Sequence, residues 1–325
     1  MTTAETALTR EQFLAERRKG IGGSDVAAIL GLDSRVTPYQ LWREKVGLPD
    51  PDTGRPWARR RGNFLEAALL ARYRDTIKPA EFSAQIPHRQ GWRCGNQDAR
   101  AVSGGIRRVV EAKTVHRRVF RAEWGAPWSD EVPDRALCQG LWYGNLDDAS
   151  VIDFAVAVIP DDPDEVLGLT ADEVMAASEF HIYQVSRSPE VEEALVGMAA
   201  AFWHRHVLAN VPPQCMTAED IDLRFPRHIA GTSKPAEPIV EMLRRFEQVR
   251  AVGRESKKEA DDLRERILLY AEGCEYLTAP DGSPWLTLKT EDRAAHEVSA
   301  SKSRVLRFSE WWTKANQTTP TSTEK

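Results

Sequence analysis

The sequence predicts an α/β (α+β) protein, with a central mixed sheet flanked by helices and a C-terminal appendage of helices plus a β-hairpin. Three observations carry this expectation. Ser150 to Ile159 is a nearly continuous apolar run (Val151, Ile152, Phe154, Val156, Val158), the pattern of a central strand covered on both sides. Gly62 to Tyr73 sets Leu65, Leu69 and Leu70 at helical spacing. Strand signals at 81–88, 92–102 and 106–115 follow, the last two joined by Gly104-Gly105.

Composition bounds the class. With 325 residues, 42% hydrophobic and 29% charged, the chain is long enough for one large domain with an appendage, or for two domains. No apolar run approaches the length of a membrane span, and Met1-Thr-Thr-Ala-Glu lacks a signal-peptide pattern, so a cytoplasmic location without membrane partners is expected. Cys94, Cys138, Cys215 and Cys274 form no C-x-x-C pair, which argues for reduced thiols and against a disulfide framework, a zinc knuckle or an iron–sulfur cluster. A net charge of −5 argues against indiscriminate coating of nucleic acid, but the charge is segregated. Six Lys/Arg (Arg107, Arg108, Lys113, Arg117, Arg118, Arg121) fall between 107 and 121, and Arg55 with Arg59-Arg60-Arg61 makes a second basic knot. Asp147 to Glu173 holds nine acids and no Lys or Arg. Solvated faces explain this as well as a phosphate-facing side does.

In chain order, residues 1–9 read as a disordered lead-in and Glu11 to Arg18 as a charged helix. Gly20-Ile21-Gly22-Gly23-Ser24-Asp25 then feeds a helix that Ser24 would N-cap and Gly31 would close. Such a loop presents N–H groups to an anion, although this segment alone favours a plainly capped helix. Thr37-Pro38 starts a helix through Gly47, and the loop to Trp57 is proline-rich. Pro133 opens a helix from Asp134 to Gly144, on which Gln139 and Tyr143 share a face. Phe180 to Val185 reads as a strand, and 189–210 as a helix turning Val196, Met198, Phe202, Trp203 and Val207 inward. His204 and His206, two apart, cannot make a metal pair on that helix. Val211-Pro212-Pro213 is the candidate boundary. Residues 10–211 are expected to form the main domain, 212–314 the appendage, and 315–325 a disordered tail. In the appendage, Pro238 to Gly273 reads as a helix or helical hairpin and Glu275 to Thr290 as a β-hairpin.

The chain is organised around Val109-Val110-Glu111-Ala112-Lys113-Thr114, where strand alternation turns Glu111 and Lys113 to one face and Val110 and Ala112 to the other. Alone, Glu-x-Lys reads as an ion pair. Glu66 interrupts the apolar face of its helix one turn after Gly62 and needs a cation or a hydrogen-bond partner. Antiparallel pairing could bring Asp98 beside Glu111, where two carboxylates repel unless a cation joins them.

Gly62-x-x-x-Glu66, Asp98, Glu111-x-Lys113 and Gln139-x-x-x-Tyr143, on helix, strand, strand and helix, resemble the PD-(D/E)XK nuclease superfamily. With Gly20 to Gly31 and Thr37-Pro38-Tyr39-Gln40-Leu41-Trp42, residues 10–210 are similar to the YqaJ-like viral recombinase family, whose members resemble the exonuclease of phage lambda. The resemblance implies a restriction-endonuclease-like core and metal ligands at Asp98, Glu111 and the Ala112 carbonyl. It places Lys113 on the attacking water and Glu66 on metal or water. Gln139 and Tyr143 would brace the site and touch substrate, and Arg17 or Arg18 with Ser24 would hold a 5′-phosphate. It further implies Mg²⁺, with Mn²⁺ as an alternative, to generate hydroxide and neutralise charge on the scissile phosphate. The implied activity is exonucleolytic hydrolysis of linear double-stranded DNA, 5′ to 3′, leaving single strands for phage-type recombination in a bacterial host cell. A single-strand annealing protein is the implied partner, homo-oligomers such as rings are formed by lambda-type relatives, and salt-sensitive phosphate contacts should dominate binding. The alternative is a catalytically weak or inactive DNA-end-binding module. One departure stands out: the family's Asp-Gly lies about ten residues before the Glu, whereas Asp98 lies thirteen before Glu111 and precedes Ala99. Asn96-Gln97-Asp98 is favoured as the metal-binding turn over Ser103-Gly104.

Overall fold

The apolar run forms β4 (Val151–Ile159), with a strand on each side of it in a five-stranded mixed sheet. The computed structural model describes residues 10–49, 56–161, 168–252, 257–293, 301–309 and 312. The expected lead-in, the tail, most of the proline-rich loop, Arg55 and the side chains of Arg59 and Arg60 lie outside what it describes. The chain divides into two compact units, Met1–Pro213 and Gln214–Lys325.

In the first unit, α1 (Arg10–Arg18), α2 (Gly23–Ile29), α3 (Pro38–Lys45) and α4 (Pro56–Ile77) precede the sheet. It runs β1 (Glu81–Gln90), β2 (Arg93–Ser103), β3 (Ile106–His116), β4 and β5 (Glu179–Ser186), in that spatial order. Only the β3–β4 pair is parallel. The β2–β3 hairpin turns tightly through Gly104 and Gly105, both at positive φ, as a two-residue turn requires. The β3–β4 crossover carries α5 (Arg117–Glu123) and α6 (Asp134–Asp147); α7 (Ala171–Ala177) precedes β5, and α8 (Pro189–Phe202) continues as a π-helix, Trp203–Leu208.

Each face of the sheet has its own helix. Leu69, Leu70 and Tyr73 of α4 pack on Ala99, Val110, Ala155 and Ala157. On the other face α6 approaches so closely that a Cβ on Gly140 would stand 2.7 Å from the side chains of Ile152 and Phe154, which only glycine avoids. A buried carboxylate on the α4 face, Asp153, is fully satisfied. Tyr73 Oη donates to it at 2.6 Å, Arg108 Nη1 at 3.1 Å and Gln184 Nε2 at 3.2 Å.

Several expectations are corrected. Ser24 does not cap α2: Gly22 is the N-cap, and its N–H donates to Oδ2 of Asp25 at 2.9 Å, so the carboxylate performs the cap one residue further on. Gly31, at φ +70°, does close that helix. Met198 is 43% exposed, and the inward residues of its helix are Leu195, Ala199, Phe202 and Trp203. Helix α4 starts six residues before Gly62. Asn96-Gln97-Asp98 is no turn but the interior of β2.

The second unit holds α9 (Ala218–Arg224), β6 (Ile229–Pro235), α10 (Val240–Val252), α11 (Lys257–Ala271), β7 (Cys274–Thr278), β8 (Pro284–Arg293) and β9 (Ser301–Phe308). Its sheet runs β6-β7-β8-β9, with β6 parallel to β7. Leu243, Phe246, Ile267, Leu268, Leu286, Leu288 and Trp312 form its core. All four cysteines are free, and no helix among the described residues is long and apolar enough to cross a membrane.

Candidate active site

Strands β2 and β3 part where the chemistry-bearing residues begin. Their ladder runs from the turn up to Ala99 opposite Val110, and continuing that register puts Asp98 opposite Glu111. Instead of a further strand pair, the Ala112 N–H donates to Oδ2 of Asp98 at 2.8 Å. A carboxylate thus takes the place of a strand acceptor. The opening is a cavity of about 210 Å³ lined by Gly62, Asn63, Glu66, Asp98, Ala112, Lys113 and others. The site therefore draws on both faces of the sheet, where alternation alone suggests one. Glu66 arrives with α4 on the Ala112 face, and Gln139 with α6 on the Glu111 face.

Glu111 is completely buried and interacts with Asp98 and Lys113, which line this cavity. Its Oε2 accepts from Lys113 Nζ at 2.8 Å, while its Oε1 has no hydrogen-bond partner among the described residues. Burial, reinforced by the charge of Asp98, pushes its carboxyl up to about 8. Burial also works against the Lys113 ammonium, but Glu111 and Asp98 outweigh it and hold that group above the usual lysine range. Lys113 is a fixed cation here, not a base. Its Nζ also donates to Oε1 of Gln139 at 3.1 Å, and Gln139 in turn hydrogen-bonds Tyr143. Glu66 is raised by burial and by Asp98, an effect the Gln85 side chain partly offsets.

Glu66, Asp98, Ala112, Glu111, Lys113, Gln139 and Tyr143 thus come together. Arg17, Arg18 and Ser24 do not line the cavity; they belong to the packing of α1, α2 and α3. Arg17 pairs with Asp25 and Glu44, and its Nη1 lies 3.4 Å from the exposed Ser24 Oγ. Arg18 is exposed. The link to the cavity is Tyr143: Gly23 and Gly95 press against its ring so closely that a Cβ on either would clash, at 2.8 and 2.2 Å. Asp25, fully buried, is nonetheless held below the usual carboxylate range, because Lys45 and Arg17 overcome the cost of burial. Lys45 Nζ lies 2.6 Å from it with its side chain fully buried. Asp25→Asn strands that ammonium and is expected to cost on the order of 3 kcal/mol in urea unfolding. A change under about 1 kcal/mol would show the pair to be dispensable.

Sequence reasoning missed Asn63, Thr114 and Gln85. Asn63 stands three residues before Glu66 and so shares its helix face, a signal that helical spacing carries. Ser103 ends β2 beside the hairpin turn, paired with Ile106 and five residues from Asp98 along the strand, and it does not line the cavity.

All of these candidate residues fall in one stretch of the chain. Residues 12–144 match the YqaJ-like viral recombinase domain. The chain is 31% identical over 139 residues to the uncharacterized protein YqaJ of Bacillus subtilis (strain 168), a match that spans only 42% of each chain. Among solved structures, the chain is similar to an alkaline exonuclease from Laribacter hongkongensis, with a TM-score of 0.43, 15% identity, and 62% of this chain and 94% of that one covered. It is also similar to a phage-related exonuclease from Haemophilus somnus 129PT, with a TM-score of 0.42, 10% identity, and 61% and 98% covered.

Proposed function

We propose that the YqaJ-like domain is a divalent-metal-dependent deoxyribonuclease that hydrolyses linear double-stranded DNA from its ends, 5′ to 3′, exposing single strands for recombination. The observation that carries this reading is Glu111 Oε1: a fully buried carboxylate oxygen without a partner among the described residues, next to a carboxylate, Asp98, and an ammonium, Lys113, that both line the cavity. Asp153, equally buried nearby, has every need met; Glu111 does not. No three His, Cys, Asp or Glu side chains among the described residues form a ready-made metal cluster. Two carboxylates, with a backbone carbonyl and water, nevertheless suit a hard cation such as Mg²⁺ or Mn²⁺. Asp98, Glu111 and the Ala112 carbonyl would hold it, with Glu66 from the cavity side. Such an ion supplies Lewis-acid activation of water and charge neutralisation at the phosphate.

The protein's own groups do the rest. Lys113, positioned by Glu111 and Gln139, directs its remaining ammonium hydrogens at the cavity, where they hold the attacking water and meet charge growing on the phosphoryl oxygens. Tyr143 fixes Gln139 and ties the site to α2. There, the exposed Ser24 beside Arg17, with Arg18, is the proposed 5′-phosphate contact. A single-strand annealing protein is the proposed recipient of the exposed strand.

The test is incubation of linear and circular duplexes with Mg²⁺, Mn²⁺ or EDTA. Metal-dependent loss of nucleotides from linear DNA alone supports the reading; end binding with intact DNA sinks it. Asp98→Ala should lower kcat at least about a hundredfold, whereas Ser103→Ala should leave it unchanged. An active Asp98→Ala enzyme would remove that carboxylate from the metal set. Gly62→Ala should separate stability from activity. A Cβ there meets no atom within 4 Å, so alanine should stabilise α4 by up to about 1 kcal/mol. That methyl would also narrow the cavity mouth, and a raised KM for DNA is the expected result.

A further inference from the structure

Gln85 stands opposite the cavity-lining Asp98 in register and has a strained backbone. It sits inside β1 at φ +53°, a left-handed conformation that costs a non-glycine residue about 1 kcal/mol. The ladder to β2 is regular on both sides of it, pairing Ala84 with Ala99 and Ile86 with Gln97, and skips only the pair between them, Gln85 and Asp98. Register therefore aligns Gln85, Asp98 and Glu111 across three strands, and the backbone of the row is broken at its first two members. The Gln85 side chain also reaches towards Glu66 on α4, whose ionised form it favours. Strain of this kind persists only when its surroundings impose it, and it gathers where function needs a group aimed off its natural direction.

We infer that Gln85 is a positioning residue for the proposed nuclease reaction, resting on the reading above: its left-handed backbone releases Asp98 from the β1 ladder, and its amide holds Glu66 over the cavity. It touches neither metal nor phosphate; it acts through the two carboxylates.

Three variants separate backbone from amide. Gln85→Gly keeps the left-handed conformation and loses the amide, Gln85→Asn keeps a shorter amide in a residue that tolerates that conformation, and Gln85→Val opposes the conformation and drives the strand back to regular pairing. Two readouts are needed: kcat and KM on linear duplex DNA, and Mn²⁺ binding by calorimetry on the DNA-free full chain. Gln85→Gly should lower kcat about tenfold and weaken Mn²⁺ binding about tenfold, with KM for DNA and the melting temperature essentially unchanged. Gln85→Asn should recover part of both losses, and Gln85→Val should lose more of both than glycine does. Wild-type kcat and Mn²⁺ affinity in Gln85→Gly would overturn the inference. If the wild type binds Mn²⁺ but cleaves nothing, the nuclease reading fails, while the Mn²⁺ affinities of the variants still decide the role of Gln85.

Discussion

Lys113→Met should abolish cleavage, lowering kcat at least about a hundredfold, with little change in affinity for DNA ends. The ammonium is fixed twice, by Glu111 Oε2 at 2.8 Å and Gln139 Oε1 at 3.1 Å, so its remaining donor capacity is aimed rather than diffuse. Methionine keeps most of the stem and its packing but offers no charge. The substitution also strands Glu111, a buried carboxylate beside Asp98, and an ion pair broken on one side costs about 3 kcal/mol. That penalty should be smaller at pH 6 than at pH 8, because Glu111 can neutralise itself by taking a proton. Denaturation at both pH values therefore separates a folding defect from a catalytic one. More than about a tenth of the wild-type kcat in a folded Lys113→Met protein would remove Lys113 from the mechanism.

Where residue type and period coincide, the site is legible in the sequence itself. Glu111 and Lys113 share a face by alternation, Gln139 and Tyr143 by helical spacing, and Asp98 falls opposite Glu111 once a two-residue turn at Gly104-Gly105 sets the register. The rest depends on exceptions to those periods. The parting of β2 from β3, which gives the Ala112 N–H to Asp98, is a tertiary event that no local pattern announces. Gln85 is ordinary in a strand sequence, and its left-handed backbone follows from what lies across the sheet. Asp25 replaces Ser24 at the cap because two cations, Arg17 and Lys45, already draw it inward. Other omissions had signals: Thr170 and Glu173 form the capping box that starts α7. Strand β6 had almost none, being short, largely exposed and interrupted by Gly231 at positive φ.

Glu111→Gln should make the metal-free protein more stable while removing its activity. The folded state holds a proton on Glu111 up to about pH 8, whereas the unfolded chain gives it up near the ordinary value of 4.5. Between these limits the native state binds more protons than the unfolded one, so its stability falls as pH rises and levels off once both states are ionised. The contribution of Glu111 is fully present below about pH 4.5 and lost through pH 8. Glutamine keeps an acceptor for Lys113 and never bears this cost. In EDTA the variant should match wild type near pH 5 and exceed it near pH 8 by a few kcal/mol, on the order of 1.4 per pH unit of displaced ionisation. Mn²⁺ should reverse the ranking, since an ion that binds only the native wild type stabilises it by mass action and leaves the variant behind. Parallel pH profiles for the two proteins in EDTA would show that Glu111 is ionised without strain. In that case its unpartnered oxygen would lose its standing as the mark of a cation site.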